Sequence, residues 1–233
     1  DLYAAGVEVS SIHRVLSMGM LGLRKKRKLV PTRWSITATD DVISKNLAAM
    51  LDTNPSIDTF EVTMFGHLDN MYSVILIPSP AWSFEMFESW FTPAGEIAFG
   101  SDYESPNGLD HYPTIAGAYF AGRLAVAEHL SKRKRISSAL VLREIRPGYV
   151  MPMGVWQIRE GVREALKSKP ECFESIQDAL EFATRTLSTS AAEIARNSRM
   201  IRELKHQTRL TDFLETERPK GDISAGSLFA PHE

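Results

Sequence analysis

The chain has 233 residues, 43% of them hydrophobic and 24% charged, a composition typical of a soluble globular protein with one large domain or two small ones. Its single cysteine, Cys172, excludes an internal disulfide and a cysteine-based zinc cluster within the chain, and no apolar run approaches the roughly 20 residues that a membrane helix needs. The net charge of −2 gives no overall argument for nucleic-acid binding, and we expect a cytoplasmic protein without a membrane partner.

The amino-terminal part predicts two helices separated by a basic segment. The basic run at residues 24–28 is interpreted as a solvated loop or helix end, with a phosphate-binding role as the alternative. Pro31 ends any earlier helix, and Thr39 is a good N-cap, with Asp40 and Asp41 favouring the positive end of the helix that follows. The predicted helices lie around residues 10–17 and over residues 40–51.

Strands are predicted next. Residues 59–65 alternate between apolar and polar side chains, residues 72–78 are nearly all apolar, and the segment 66–70 between them suits a hairpin turn. The aromatic-rich stretch 80–92 favours a further strand, with a helix as the alternative, and its aromatic residues are interpreted as core rather than as base-stacking groups. Glycine, proline and asparagine residues predict a loop over residues 100–113.

The carboxy-terminal half predicts mainly helices. The predicted elements are a helix over 114–132, a strand over 136–145, two helices over 154–167 and 175–187 joined at Pro170, and a last helix over 191–206. The fold class is therefore α+β, a small and mostly antiparallel sheet with packed helices, followed by a helical extension and a flexible tail. We divide the chain into an α+β body (1–188), a helical extension (189–206), a C-terminal box (207–214) and a loose tail (215–233).

Several side chains of the body are candidates for binding a phosphate or a nucleotide. A guanidinium next to an aromatic ring near a helix start offers charge, a stacking face and free amides together. The alternative for each residue is a purely structural contact. We identify no phosphate-binding loop, no histidine pair at metal-binding spacing and no nucleophile motif, so no catalytic residue, metal or cofactor is assigned within the chain. The candidates are Arg33, Trp34, His111, Arg123 and Arg146, with Asp110 beside His111.

The C-terminal box has the spacing of a short docking peptide. Leu210, Phe213 and Leu214 stand at i, i+3 and i+4, on one face of a helical turn, and Gln207 precedes them with an amide that both donates and accepts. Burying the three apolar side chains in a partner groove gains roughly 1.5–3 kcal/mol each, and ordering the segment costs about 2–5 kcal/mol. The balance suits reversible binding in the micromolar range; the alternative is that these residues pack onto the body.

Three stretches carry a resemblance to a known family. Residues 28–41 read KLVPTRWSITATDD, residues 154–160 read GVWQIRE, and the C-terminal box follows near the end. Together they resemble the archaeal Nre family of DNA-repair proteins. The box itself is similar to the PCNA-interacting peptide, Q-x-x-aliphatic-x-x-aromatic-aromatic, with Leu214 in place of the second aromatic residue and a tail after it that the family usually lacks.

The resemblance implies a role in DNA damage repair and recruitment by the sliding clamp PCNA through Gln207, Leu210, Phe213 and Leu214. It also implies an upstream cysteine-rich, zinc-finger-like region; the chain starts at Asp1, so we expect this region, and any zinc, to lie outside it. Three functions remain open: a clamp-tethered repair factor whose body binds nucleic acid or a nucleotide, a nucleotide- or DNA-processing enzyme with a phosphate-binding pocket, and a scaffold that links the clamp to another repair protein.

Overall fold

The computed structural model describes residues 2–109, 111–151 and 153–205. Over these residues helices cover both faces of one six-stranded sheet, and residues 199–205 are also helical. In chain order the elements are α1 (Val9–Ser17), a short 3-10 helix (Arg24–Lys26), α2 (Thr32–Leu51), β1 (Phe60–His67), β2 (Asn70–Ile77), β3 (Phe84–Phe91), β4 (Ile97–Glu104), α3 (Gly117–Arg133), β5 (Ser138–Ile145), α4 (Trp156–Ala165), β6 (Glu171–Phe173), α5 (Ile176–Thr184) and α6 (Ala191–Asn197).

The sheet has the order β4-β3-β5-β2-β1-β6, and its strand pairs are antiparallel except for β3 and β5. The α+β class with a mostly antiparallel sheet is therefore confirmed. The strand predicted within residues 80–92 is also confirmed, because residues 84–91 form β3. Central strands such as β5 are buried on both faces, which explains their nearly continuous apolar sequences.

Two helical layers cover the sheet. Successive residues of β5 show the division, because Ala139 and Val141 join the core under α3 and α4, whereas Leu140 and Leu142 join the core under α5, α6 and residues 199–204. Within the described residues, no helix combines the length and the apolar character needed to span a bilayer.

The start of α2 differs from its prediction. The helix begins at Thr32, directly after Pro31, so Thr39 and Asp40 lie inside it and Thr39 is not an N-cap. Asp40 and Asp41 instead face arginines of other helices: Asp40 Oδ1 lies 2.5 Å from Arg159 Nη1. Asp40 and Asp41 were mistaken for part of a helix start because the arginines with which they pair are distant in the sequence.

Two strands were missed. β4 extends to Glu104, so the loop prediction is wrong at residues 100–104; a Cβ on Gly100 would lie 3.3 Å from Ile115 Cγ2, and the glycine allows this close approach. β6, an edge strand of three residues, lies between the two helices that were predicted to meet at Pro170.

The predicted last helix is interrupted at Ser198. This residue ends α6 in an extended conformation, and residues 199–205 resume the helix. The buried carboxylate of Glu85 on β3 accepts hydrogen bonds from Ser198 Oγ at 2.6 Å and from the amide of Met200 at 2.8 Å. A carboxylate from the sheet thus satisfies the free amides of the new helix start.

Candidate nucleic-acid interface

Three helices begin at the same end of the molecule. A Cβ on Gly117, the first residue of α3, would lie 3.2 Å from Thr37 Oγ1 on α2 and 2.9 Å from Val155 Cγ1, just before α4. Further along, Arg123 of α3 contacts Ser44 of α2, so α2 and α3 run in the same direction. Arg163 of α4 likewise reaches Glu128 of α3. The three positive helix ends therefore lie together.

The same end of the molecule is where the parallel strands β3 and β5 finish. Gly100, opposite Glu88 near the end of β3, contacts Ile115 in the loop before α3, and Tyr72 Oη donates to Gln157 Oε1 in the first turn of α4 at 3.2 Å. In open parallel α/β sheets ligands commonly bind beyond the carboxyl ends of the strands, and β3 and β5 form the parallel pair of this mostly antiparallel sheet.

Exposed aromatic residues surround these helix starts. Trp34, Tyr112 and Trp156 are 60%, 68% and 44% exposed. Trp34 lies one turn before Thr37, Trp156 follows Val155, and the Tyr112 ring lies 5.9 Å from that of Phe120 on α3. We call Trp34, Tyr112 and Trp156 the aromatic surface.

Backbone strain is present at the same place. Ala116, immediately before α3, has φ 49° and ψ −121°, a conformation that residues with a side chain rarely adopt. Such strain costs about 1–3 kcal/mol and is often associated with functional sites.

The basic run at residues 24–28 shortly precedes α2, whose first turn carries Trp34 of the aromatic surface. All five residues are exposed, as is Arg33, whose guanidinium lies 5.9 Å from the centre of the Trp34 ring. Lys28 is four residues from the start of α2 and so lies at most about 14 Å from it. Hydrogen bonds between Ser17 and Val30 fix the segment that joins the run to α2.

A buried ionic group supports the sheet behind this surface. Arg143 of β5 donates to Glu88 Oε1 at 2.6 Å and to Asn70 Oδ1 at 2.6 and 2.9 Å, and its guanidinium lies 6.0 Å from the ring centres of Tyr72 and Tyr149. These contacts join β2, β3, β5 and the loop before α4. Sequence reasoning missed Arg143; the signal was the charged pair Arg143 and Glu144 inside a run of buried strand residues.

The five candidates predicted from the sequence do not form a common pocket. Arg33 and Trp34 lie side by side on the exposed first turn of α2. Arg123 is buried in α3 and donates to Glu104 Oε2 at 3.1 Å, with Asp41 Oδ1 at 3.5 Å, so carboxylates of the protein compensate its charge. Of the five, Arg33 and Trp34 are the pair whose side chains touch at an exposed position.

His111 and Arg146 have internal partners. His111 Nε2 lies 3.2 Å from Asp102 Oδ1 on β4, whose other oxygen accepts from Thr114 and from the amide of Ile115. Arg146 donates to Glu144 and to the carbonyl of Thr186, on the opposite face of the sheet from Arg123. Asp110 and the C-terminal box lie outside the described residues.

A cavity of about 680 Å³ lies elsewhere, at the far end of the helical layer. Its wall includes Tyr3, Glu128, His129 and Arg163. Burial, reinforced by the nearby Arg133 guanidinium, lowers the pKa of His129 to about 4, which keeps its imidazole neutral. Among the described residues, no three His, Cys, Asp or Glu side chains are grouped so that they could hold a metal ion.

Fold and surface together define an α+β protein with parallel helices that begin at one exposed aromatic and basic surface. The chain belongs to the archaeal Nre family. The family description "Archaeal Nre, N-terminal" matches residues 1–94, and "Archaeal Nre, C-terminal" matches residues 104–213. The boundary falls within the β3–β4 hairpin, so both segments contribute strands to one sheet. The family resemblance predicted from the sequence is confirmed.

The relatives include three archaeal proteins. DNA repair protein NreA of Archaeoglobus fulgidus is 41% identical over 188 residues, which are 79% of this chain and 48% of the relative. DNA repair protein NreB of the same organism is 36% identical over 218 residues (91% and 55%), and NreA of Haloferax volcanii is 39% identical over 220 residues (91% and 52%). The chain therefore spans about half the length of these relatives. No solved structure matches it significantly.

Proposed function

We propose that the chain forms the body of an archaeal DNA repair factor that the sliding clamp PCNA recruits through the C-terminal box. The observation that carries this proposal is the spacing of Gln207, Leu210, Phe213 and Leu214 in a chain whose relatives are named DNA repair proteins. The C-terminal family match extends through Phe213, so the box lies almost entirely within the part shared with the family.

The described structure supports tethering of a peptide at this point. Residues 199–205 precede the box, and Met200, Ile201 and Leu204 pack in the core below the sheet. Because Glu85 fixes the start of this helix, a peptide that follows residue 205 is attached to the body at a defined position. A docking segment tethered in this way needs only modest affinity of its own when the body binds the same DNA as the clamp.

Titration calorimetry of the full chain with an archaeal sliding clamp tests recruitment. We expect a dissociation constant in the micromolar range, weakened at least 10-fold by Phe213→Ala, because the aromatic ring is the largest apolar group of the box. Thr211→Ala, at an intervening position of the same box, is the matched control and leaves the affinity unchanged. Absence of binding at high micromolar clamp, or equal binding by Phe213→Ala, would contradict the proposal.

For the body, nucleic-acid binding is favoured over nucleotide processing. Arg123 and Arg146, two cations of the predicted phosphate pocket, are engaged by Glu104 and Glu144 inside the protein. The exposed aromatic and basic groups instead form an extended surface. A catalytic role would need reacting groups that converge on one point. A binding role needs only the exposed rings and cations that are present.

A further inference from the structure

The aromatic surface has two properties that a protein core does not explain. Trp34, Tyr112 and Trp156 come from three different segments, yet all are placed around the first turn of α3. Large aromatic residues are usually more buried than this, and in the same chain Trp82 and Phe84 are buried. Three partly exposed rings around one point constitute a surface that a planar ligand could cover.

Charge around this surface favours an anionic ligand. Arg33 and the basic run at residues 24–28 contribute exposed cations on one side. The nearby carboxylates of Asp40 and Asp41 are paired with Arg159 and with Arg123 and Lys45, respectively. Glu160, one turn after Trp156, is about half exposed and pairs with Arg163. Because these acids are compensated by their partners, the exposed cations give the border a net positive charge.

We propose that the aromatic surface and the basic run together bind single-stranded DNA, with unpaired bases stacked on the rings and phosphates held by Arg33 and residues 24–28. The inference rests on the proposed repair function and specifies the nucleic acid and the surface. Single strands are favoured over duplexes because stacking needs base faces, which a duplex conceals. They are favoured over a protein partner because charged side chains that can hold phosphates border the rings. Stacking on these rings would not require a particular base sequence.

The test uses the full chain and a fluorescein-labelled oligothymidylate of about 12 nucleotides, within the length that single-strand binding modules cover. Anisotropy measures affinity, and quenching of tryptophan emission reports stacking directly. Trp34→Ala and Trp156→Ala are each expected to weaken binding at least about 5-fold. Trp34→Phe retains an aromatic face and should stay close to the wild-type affinity. Met50→Ala, an exposed apolar residue at the other end of α2, is the matched control.

Salt dependence tests the basic run separately. The slope of log affinity against log salt falls by about 0.7 for each single-strand phosphate contact that is lost. We therefore expect the double variant Lys25→Ala/Lys26→Ala to reduce the slope by about 1.4. Lys167→Ala, at the far end of the helical layer, should leave the slope unchanged.

Three results would overturn the inference: no binding of the oligonucleotide at low salt, affinity unaffected by both tryptophan variants, or equally tight binding of a duplex of the same length. The clamp proposal is judged independently, because Trp34→Ala should retain clamp binding and Phe213→Ala should retain oligonucleotide binding. A chain that binds the clamp but fails the oligonucleotide test refutes the single-strand surface and leaves recruitment intact.

Discussion

The anchor of the last described helix offers a sharp test of the structure. Glu85 lies on β3 and is fully buried. Its carboxylate accepts hydrogen bonds from Ser198 Oγ at 2.6 Å and from the amides of Arg199 and Met200 at 3.1 and 2.8 Å. The perturbation is Glu85→Ala, which removes the acceptor and leaves these donors in place.

The expected loss of stability follows from burial. Ser198 and Met200 are buried, and each buried donor left unsatisfied costs about 1–3 kcal/mol. Burial raises the pKa of Glu85, so part of this loss is offset when a desolvated carboxylate is removed. We therefore expect the free energy of unfolding to fall by about 3 kcal/mol, a large part of the roughly 5–15 kcal/mol that holds a typical domain together.

Urea unfolding monitored by circular dichroism measures this loss, and hydrogen exchange of the amides of residues 199–205 locates it. Glu193→Ala is the matched control, because Glu193 caps α6 through Ser190 in a solvent-accessible capping box and should cost about 0.5–1 kcal/mol. A cost of Glu85→Ala no larger than that of Glu193→Ala, or unchanged protection of residues 199–205 from exchange, would contradict a structural role of this carboxylate.

Two further predictions concern the cavity residue His129 and the packing of helix glycines. The pKa of His129 is lowered from 6.5 to about 4. Between these values the folded state binds fewer protons than the unfolded state, so stability falls as the pH drops through this window. His129→Gln should remove up to about 2 kcal/mol of that loss, measured by denaturation curves between pH 4 and 7.5. Gly161→Ala would place a Cβ 2.5 Å from Cζ of the buried Tyr72 ring, and should destabilise by about 2 kcal/mol after the gain in helix propensity. A Cβ introduced by Gly122→Ala comes closest to the flexible Met86 thioether, at 3.0 Å, with Phe84 Cζ at 3.5 Å, so this variant should cost less than Gly161→Ala; equal urea midpoints for the two glycine variants would contradict this packing.

The elements that the sequence predicted well are those whose local pattern agrees with their surroundings. β2 and β5 are nearly continuous apolar stretches because both faces are covered, and both were predicted. The beginning of α2 was not predicted, since Asp40 pairs with Arg159, which is 119 positions away. No local pattern distinguishes a carboxylate at a helix start from one that faces a distant arginine.

The candidate surface was predicted only in part for a similar reason. Arg33 and Trp34 are adjacent in the sequence and were identified together. Trp156 joins them because Gly117 lets α2, α3 and the residue before α4 approach closely, and Tyr112 joins them through its contact with Phe120 of α3. Neither aromatic residue has a local signal that separates an exposed ring from a core ring. Their common location follows from the parallel arrangement of three helices, which only the tertiary structure provides.

The last described helix and the helices that carry the aromatic surface lie on opposite faces of the sheet. The helix that precedes the C-terminal box packs against Leu140 and Leu142 on one face, whereas α3 and α4, which carry the aromatic surface at their starts, pack on the other. Clamp and single-stranded DNA should therefore bind simultaneously. We expect the clamp affinity of the full chain to change less than about 2-fold when saturating oligothymidylate is present. If the oligonucleotide contacts the protein equally with and without bound clamp, it cannot shift the clamp-binding equilibrium. Titration of the clamp into the preformed DNA complex measures this. Mutual displacement would show that the segment after residue 205 reaches the aromatic surface, and would replace simultaneous binding by competition.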